Sequence, residues 1–120
     1  MSDIKTSISK IMEIDGAMHA ALVDSASGMI LGNSGGDGFD MELAAAGNSQ
    51  VVKAKLDTMA SLGLKEEIED ILITIESQYH IIRPIASQKG LFFYLVLNKA
   101  KSNLALARRM ILNVEKGLKM

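Results

Sequence analysis

The residues that come closest to a chemical motif lie in one glycine-rich stretch. Gly32-Asn33-Ser34-Gly35-Gly36 matches G-x-S-x-G, the pattern of a nucleophile elbow, and falls between a predicted strand and a predicted helix. An elbow raises a serine hydroxyl over an oxyanion hole on a sharp turn, with an acid and a histidine following later in the chain. His80 is the only later histidine, and the next helix starts several residues beyond Ser34. The residues therefore favour a loop over an active nucleophile. Gly35-Gly36-Asp37-Gly38-Phe39-Asp40 also matches the first six positions of a calcium-binding nonapeptide. That site needs tandem copies, because each ion sits between stacked turns; there is one copy here, with Glu42 where a large apolar residue belongs. No Gly-Lys-Ser or Gly-Lys-Thr occurs, so no Walker cradle is present and the chain is not expected to hydrolyse nucleotide. His19 and His80 fall in predicted strands, and two histidines without cysteine make a poor metal site. The charges at Lys65-Glu66-Glu67 and Arg108-Arg109 read as solvated surface. No catalytic residue, metal or cofactor is expected.

The elements that would position these residues follow from periodicity. Ile4, Ile8, Ile11 and Met12 recur at helical spacing between Asp3 and Ile14, with Ser2 as a candidate N-cap and Gly16 as a stop. Ala17 to Asp24 and Met29 to Gly32 read as two strands joined by Asp24-Ser25-Ala26-Ser27-Gly28, a hairpin turn. The run from Gly32 to Gly38 is too poor in apolar residues to pack a core and is expected to be a loop. Asp40 to Leu62 reads as a helix whose broad face carries Met41, Ala45, Val52, Leu56 and Met59. Glu69 to Ser77 alternates, with Ile71, Ile73 and Ile75 on one side. Tyr79 to Ile85 and Leu91 to Asn98 are further strands across the turn Ser87-Gln88-Lys89-Gly90. Pro84 removes a backbone donor and places its strand near an edge or an imperfect pairing, whereas Leu91 to Leu97 is apolar on both faces and reads as a central strand. Ser102 is the candidate cap of a last helix carrying Leu104, Ala107, Ile111, Val114 and Leu118. The order is α-β-β-α-β-β-β-α, an α/β chain of α+β type, expected as one domain over residues 1–120.

Composition narrows the function classes. The chain has 120 residues, 48% of them hydrophobic, yet aromatics are only 4% and Trp is absent, so aliphatic residues and 8 Met supply the apolar surface. That excess is hard to bury in so small a monomer and points to a homo-oligomer. A formal charge of −1 argues against nucleic-acid or anionic-membrane partners. Without cysteine there is no disulfide and no thiolate nucleophile. The start of the chain lacks the basic-then-apolar order of a signal peptide, and the longest apolar run is about a third of a membrane span. A cytoplasmic protein is expected, with no long tail after the last helix.

Two features mark where a partner would meet it. Ala44, Gly47 and Val51 form a stripe of small residues beside the apolar face of the second helix, where Gly costs up to about 1 kcal/mol relative to Ala and a close helix contact would compensate. Met29, Ile30, Leu31 and Gly32 form a short apolar edge that invites pairing with a second copy.

The residues from Ala21 to Leu31, Ala-Leu-Val-Asp-Ser-Ala-Ser-Gly-Met-Ile-Leu, resemble the strand-turn-strand signature of the Roadblock/dynein light chain domain. Asn103-Leu104-Ala105-Leu106-Ala107-Arg108 is similar to that family's Asn-Leu-Gly-Leu-Ala-Arg, with Ala105 in place of Gly. The resemblance implies a five-stranded antiparallel sheet with helices on both faces, and a homodimer joined through its second strands. It further implies that the paired second helices, around Met41, Ala44, Ala45, Gly47, Asn48, Val51 and Lys55, dock a small Ras-like GTPase, as in the prokaryotic branch of the family. Any stimulation of hydrolysis would then come from ordering the GTPase's own switch segments. The alternative is a small-ligand sensor of profilin-like or PAS-like build, which requires a pocket lined by convergent polar groups. A serine hydrolase requires Ser34 to meet His80.

Overall fold

The structure, a computed structural model, describes residues 2–119; Met1 and Met120 lie outside the described residues. Helix α1 (Ile4–Met12) leads into strands β1 (Ala17–Asp24) and β2 (Ile30–Gly35), then α2 (Met41–Ser61). Strands β3 (Ile71–Thr74), β4 (Gln78–Pro84) and β5 (Leu91–Asn98) follow, then a short 3-10 turn (Lys99–Lys101) and α3 (Leu104–Gly117). The strands form one antiparallel sheet in the order β2-β1-β5-β4-β3. The chain thus has the five-stranded antiparallel sheet and the order of elements that its sequence implied.

Alternation along the central strands divides the core into two layers. Ala20, Leu22, Phe93, Leu95 and Leu97 point to one face, where they pack with Ile8 and Ile11 of α1 and Ala107 and Ile111 of α3. Ala21, Val23, Phe92, Tyr94 and Val96 point to the other, under Met41, Ala45 and Val52 of α2. Because β5 is covered on both faces, it has no polar side to show, which is why its run is continuously apolar. Pro84 is the last residue of β4 and pairs with Phe92 of β5; on its other side the ladder to β3 has already ended at Ile82, so no donor is missed.

Several boundaries differ from the sequence reading, each for a local reason. Asp3, not Ser2, caps α1, because its carboxylate accepts the Thr6 N–H at 2.8 Å, while Ser2 is buried beside Leu118 and its hydroxyl accepts from Lys10 Nζ at 2.9 Å. Asn103, not Ser102, caps α3, its side-chain oxygen accepting the Leu106 N–H at 3.1 Å; Ser102 instead donates to the Asn98 carbonyl, closing the 3-10 turn. Each such cap contributes about 1 kcal/mol. The hairpin turn is as expected, with Asp24 accepting the Ala26 N–H at 3.0 Å and the Gly28 N–H meeting the Asp24 carbonyl at 2.7 Å.

The glycine-rich run is the largest correction. β2 starts at Ile30 and continues through Asn33, Ser34 and Gly35, which pair with Ala21, Ala20 and His19, so half of the expected loop is strand. The backbone of β1 supplies the partners, and no side-chain core is needed on an edge strand. The expected Ile71/Ile73/Ile75 face is also only partly covered: Ile71 packs under α2, whereas Ile73 and Ile75 are exposed and Ile75 lies beyond β3.

Candidate partner-docking face and sheet edge

α2 starts where Asp40 accepts the Leu43 N–H at 3.0 Å, with Phe39 just before the cap packed on the sheet beside Ala44. Phe39 stacks on His19 at 4.3 Å between ring centroids and lies 6.5 Å from the Tyr94 ring. The Tyr94 hydroxyl and His80 Nδ1 are 2.8 Å apart, and His80 Nε2 is 2.8 Å from Gln78 Oε1. Since that amide oxygen can only accept, Nε2 carries the proton and Nδ1 accepts the Tyr94 O–H. Burial holds both histidines below the ordinary imidazole pKa and pushes the Tyr94 phenol up, with the Asn48 side chain at the phenol partly opposing that rise. Neutral rings suit a network whose donors and acceptors are matched. The hydrogen bonds join β4 to β5, and the stack of Phe39 on His19 ties the start of α2 to the sheet. By sequence both His19 and His80 are ordinary strand histidines, and the one signal of their contact is an aromatic, Phe39, directly before a helix cap.

Beyond this anchor α2 is loosely committed. Only Met41, Ala45, Ser49, Val52 and Met59 of its 21 residues are buried, while Leu43, Val51 and Leu56 are exposed. The docking set inferred from sequence therefore divides. Gly47, Val51 and Lys55 lie on the open surface, and Ala44 and Asn48 are half-buried beside it. Met41 and Ala45 turn inward onto the sheet and are 6% and 0% exposed, so they belong to the core beneath the helix rather than to its open surface. Leu56, expected inside, is 48% exposed and lines a cleft with Ile68 and Phe92, while Val52 and Met59 on either side of it along the helix are buried and Ser49 takes a place in the buried row. The small residue that another backbone does approach is Ala46, which lies against Gly28 of the hairpin turn; a Cβ on Gly47 would meet nothing within 4 Å.

β2 is an edge strand with a free hydrogen-bonding side. Leu22 pairs with Gly32 and Val23 with Ile30, which leaves Leu31 as an extra bulged residue, 39% exposed. Met29 precedes the strand and is 63% exposed, whereas Ile30 is half-buried toward α2 and Gly32 lies under Ile4 of α1.

The chemical motifs are not assembled into a reaction centre. Ser34 is exposed on β2, and His80 on β4 is three strand spacings away, roughly 14 Å, and engaged by Tyr94 and Gln78. Among the described residues no group of three or more His, Asp or Glu is close enough to hold a metal ion. No helix of the described chain is long and apolar enough to cross a membrane.

Comparison with protein-family models gives no match, and comparison with curated protein sequences gives none either. Solved structures do match. A Roadblock/LC7 domain from Streptomyces avermitilis superposes with a TM-score of 0.82 at 14% identity, over 97% of this chain and 94% of that one. MglB of Myxococcus xanthus gives 0.83 at 16% identity, over 94% and 89%, and the gliding protein MglB of Thermus thermophilus gives 0.71 at 13%, over 93% and 87%. The chain has the Roadblock/LC7 fold. At these identities the likeness is one of architecture. The motif at the start of α3 has a structural role in it: Asn103 caps the helix, Ala107 is buried, Arg108 binds Asp70, and Ala105 is at an exposed position that accepts a methyl group.

Proposed function

We propose that the protein is a non-catalytic, single-domain regulator or scaffold of the Roadblock family, a homodimer that docks a small Ras-like GTPase on its second helices. The observation that carries this reading is α2 itself, a 21-residue helix that buries five residues and presents Gly47, Val51 and Lys55 with half-buried Ala44 and Asn48 to solvent. The free edge of β2, with Met29 and Leu31 exposed, supports self-association beside it. Joining two copies there extends the sheet and brings the two α2 helices to one side, and a formal charge of −1 per chain offers little repulsion. The neighbours point the same way: one is a gliding protein MglB, and another is MglB in a tetrameric arrangement. α2 contains Lys53 and Lys55 but no Arg, so stimulation of hydrolysis would act through the GTPase's own switch segments rather than through an arginine finger from this helix. The protein then works without a cofactor, in the cytoplasm.

Ala44→Arg and Gly47→Arg test the docking face, since a long charged side chain blocks close approach while the sheet-facing row is untouched. Both variants should keep the native circular dichroism spectrum and lose binding to a cognate GTPase loaded with a GTP analogue. Undiminished binding by both would remove this face from the reading. The alternative, a small-ligand sensor, gains little from the cleft between α2 and the β4–β5 turn, where the largely buried Arg83 and Glu115 bind each other at 2.7 Å rather than converging on a ligand.

A further inference from the structure

Between α2 and β3 the chain runs through residues 63–70 without regular structure, yet it is held at both ends. Leu64 N donates to the Met59 carbonyl at 2.9 Å, and the Asp70 carboxylate accepts Arg108 Nε and Nη2 at 2.9 and 3.1 Å. Between these anchors, residues 65–69 take part in no backbone pairing of sheet or turn among the described residues. A cleft of about 310 Å³ opens between this segment, α2 and the β4–β5 turn, with apolar walls from Val52, Leu56, Ile68 and Phe92. Glu115, which also lines it, is engaged through both oxygens, accepting Arg83 Nε at 2.7 Å and the Ala86 N–H at 3.0 Å. The mouth keeps the exposed carboxylates of Glu66, Glu67 and Glu69 against the one ammonium of Lys89.

We propose that this cleft docks an extended peptide segment of a partner protein, which inserts one aliphatic side chain between Leu56 and Ile68 and sets Lys or Arg against the three glutamates. Charge complementarity selects a basic occupant and disfavours an anion. The unused N–H and C=O groups of residues 65–69 select an extended peptide, because main-chain pairing supplies affinity while a side-chain pocket supplies specificity. The cleft is large enough for one aliphatic side chain with its neighbouring backbone. This site does not depend on the GTPase-docking face.

The test is a titration of the ¹⁵N-labelled full chain with an acetylated, amidated peptide, Lys-Lys-Ser-Leu-Ser-Lys-Lys, followed by amide chemical shifts. Saturable shifts confined to residues 65–69, the α2 turn around Leu56 and the β4–β5 turn are expected. Replacing the peptide's Leu by Ser should weaken binding at least tenfold, as should the double variant Glu66→Lys/Glu69→Lys, whose remaining spectrum should stay native. Absence of saturable shifts overturns the proposal, as do shifts centred elsewhere, equal binding of the Ser peptide, or binding unaffected by the charge reversal. The assay contains no GTPase, so its failure and failure of the docking reading are separate results.

Discussion

Gly35→Ala, set against Gly36→Ala, asks whether the glycine-rich run is strand or loop. Gly35 has φ +144°, a conformation that costs a non-glycine residue about 1–3 kcal/mol. An added Cβ would also lie 2.8 Å from the Met18 carbonyl oxygen and 3.0 Å from the His19 Cα, and it would press on His19 Nδ1. The first two are backbone atoms of β1, so relief requires parting the β1–β2 ladder. Strain and overpacking together should cost about 3 kcal/mol. For a 120-residue chain, each kcal/mol lowers the melting temperature by about 4 °C, so a fall of about 12 °C is expected. Gly36 lies one residue beyond the strand, its φ is not in the positive region, and a Cβ there meets nothing within 4 Å. Its replacement by Ala should be neutral or stabilise by up to about 1 kcal/mol, through the unfolded chain. The assay is thermal and urea unfolding of both variants beside the wild type. Equal, small effects at the two positions would refute the reasoning, because they would mean that β2 ends before Gly35 and that the run is a loop throughout.

Glu115→Ala should destabilise by about 3 kcal/mol in urea unfolding, because it strands the mostly buried Arg83 and the Ala86 N–H; Arg83→Met/Glu115→Leu should recover most of that loss. Sedimentation at micromolar concentration should give about twice the 12.9 kDa chain mass, and Leu31→Lys at the β2 edge should return it toward one chain; wild-type sedimentation as a monomer would end the dimer reading. Burial lowers the pKa of His80 and His19 below 6.5 in the folded state, so the unfolded chain takes up protons first as pH falls. Their contribution to stability is therefore complete above about pH 6.5 and is lost below it, down to the folded pKa values. His80→Gln should flatten that loss between about pH 7.5 and 5 in denaturant unfolding, and an unchanged slope would show that burial of His80 does not couple its titration to folding.

The periodicity of the chain decides a large part of this molecule. The run of β5, apolar on both sides, does not record which face meets which helix, but it is possible only for a strand with cover on both faces. Segments that bury side chains leave such a record; segments held by backbone alone do not. Asn33, Ser34 and Gly35 read as loop because nothing in their side chains reports the hydrogen bonds that β1 offers them. The caps shifted by one residue for a related reason, since Ser2 and Ser102 are competent cap residues whose hydroxyls found other partners.

The candidate site divides in the same way. A helix pattern identifies α2 and its inward row, but Met41 and Ala45 satisfy the criteria for a small or apolar contact surface and for a core equally well. Only the position of the sheet buries them and leaves Gly47, Val51 and Leu56 open. The sequence by itself determined the order of the elements, the two-layered core and the existence of an aliphatic excess, because those follow from local spacing and composition. Tertiary structure decided where the excess surfaces, how Phe39, Tyr94 and the two histidines meet across β1, β5 and β4, and which carboxylates border a cleft, because those depend on distances between residues far apart in the chain.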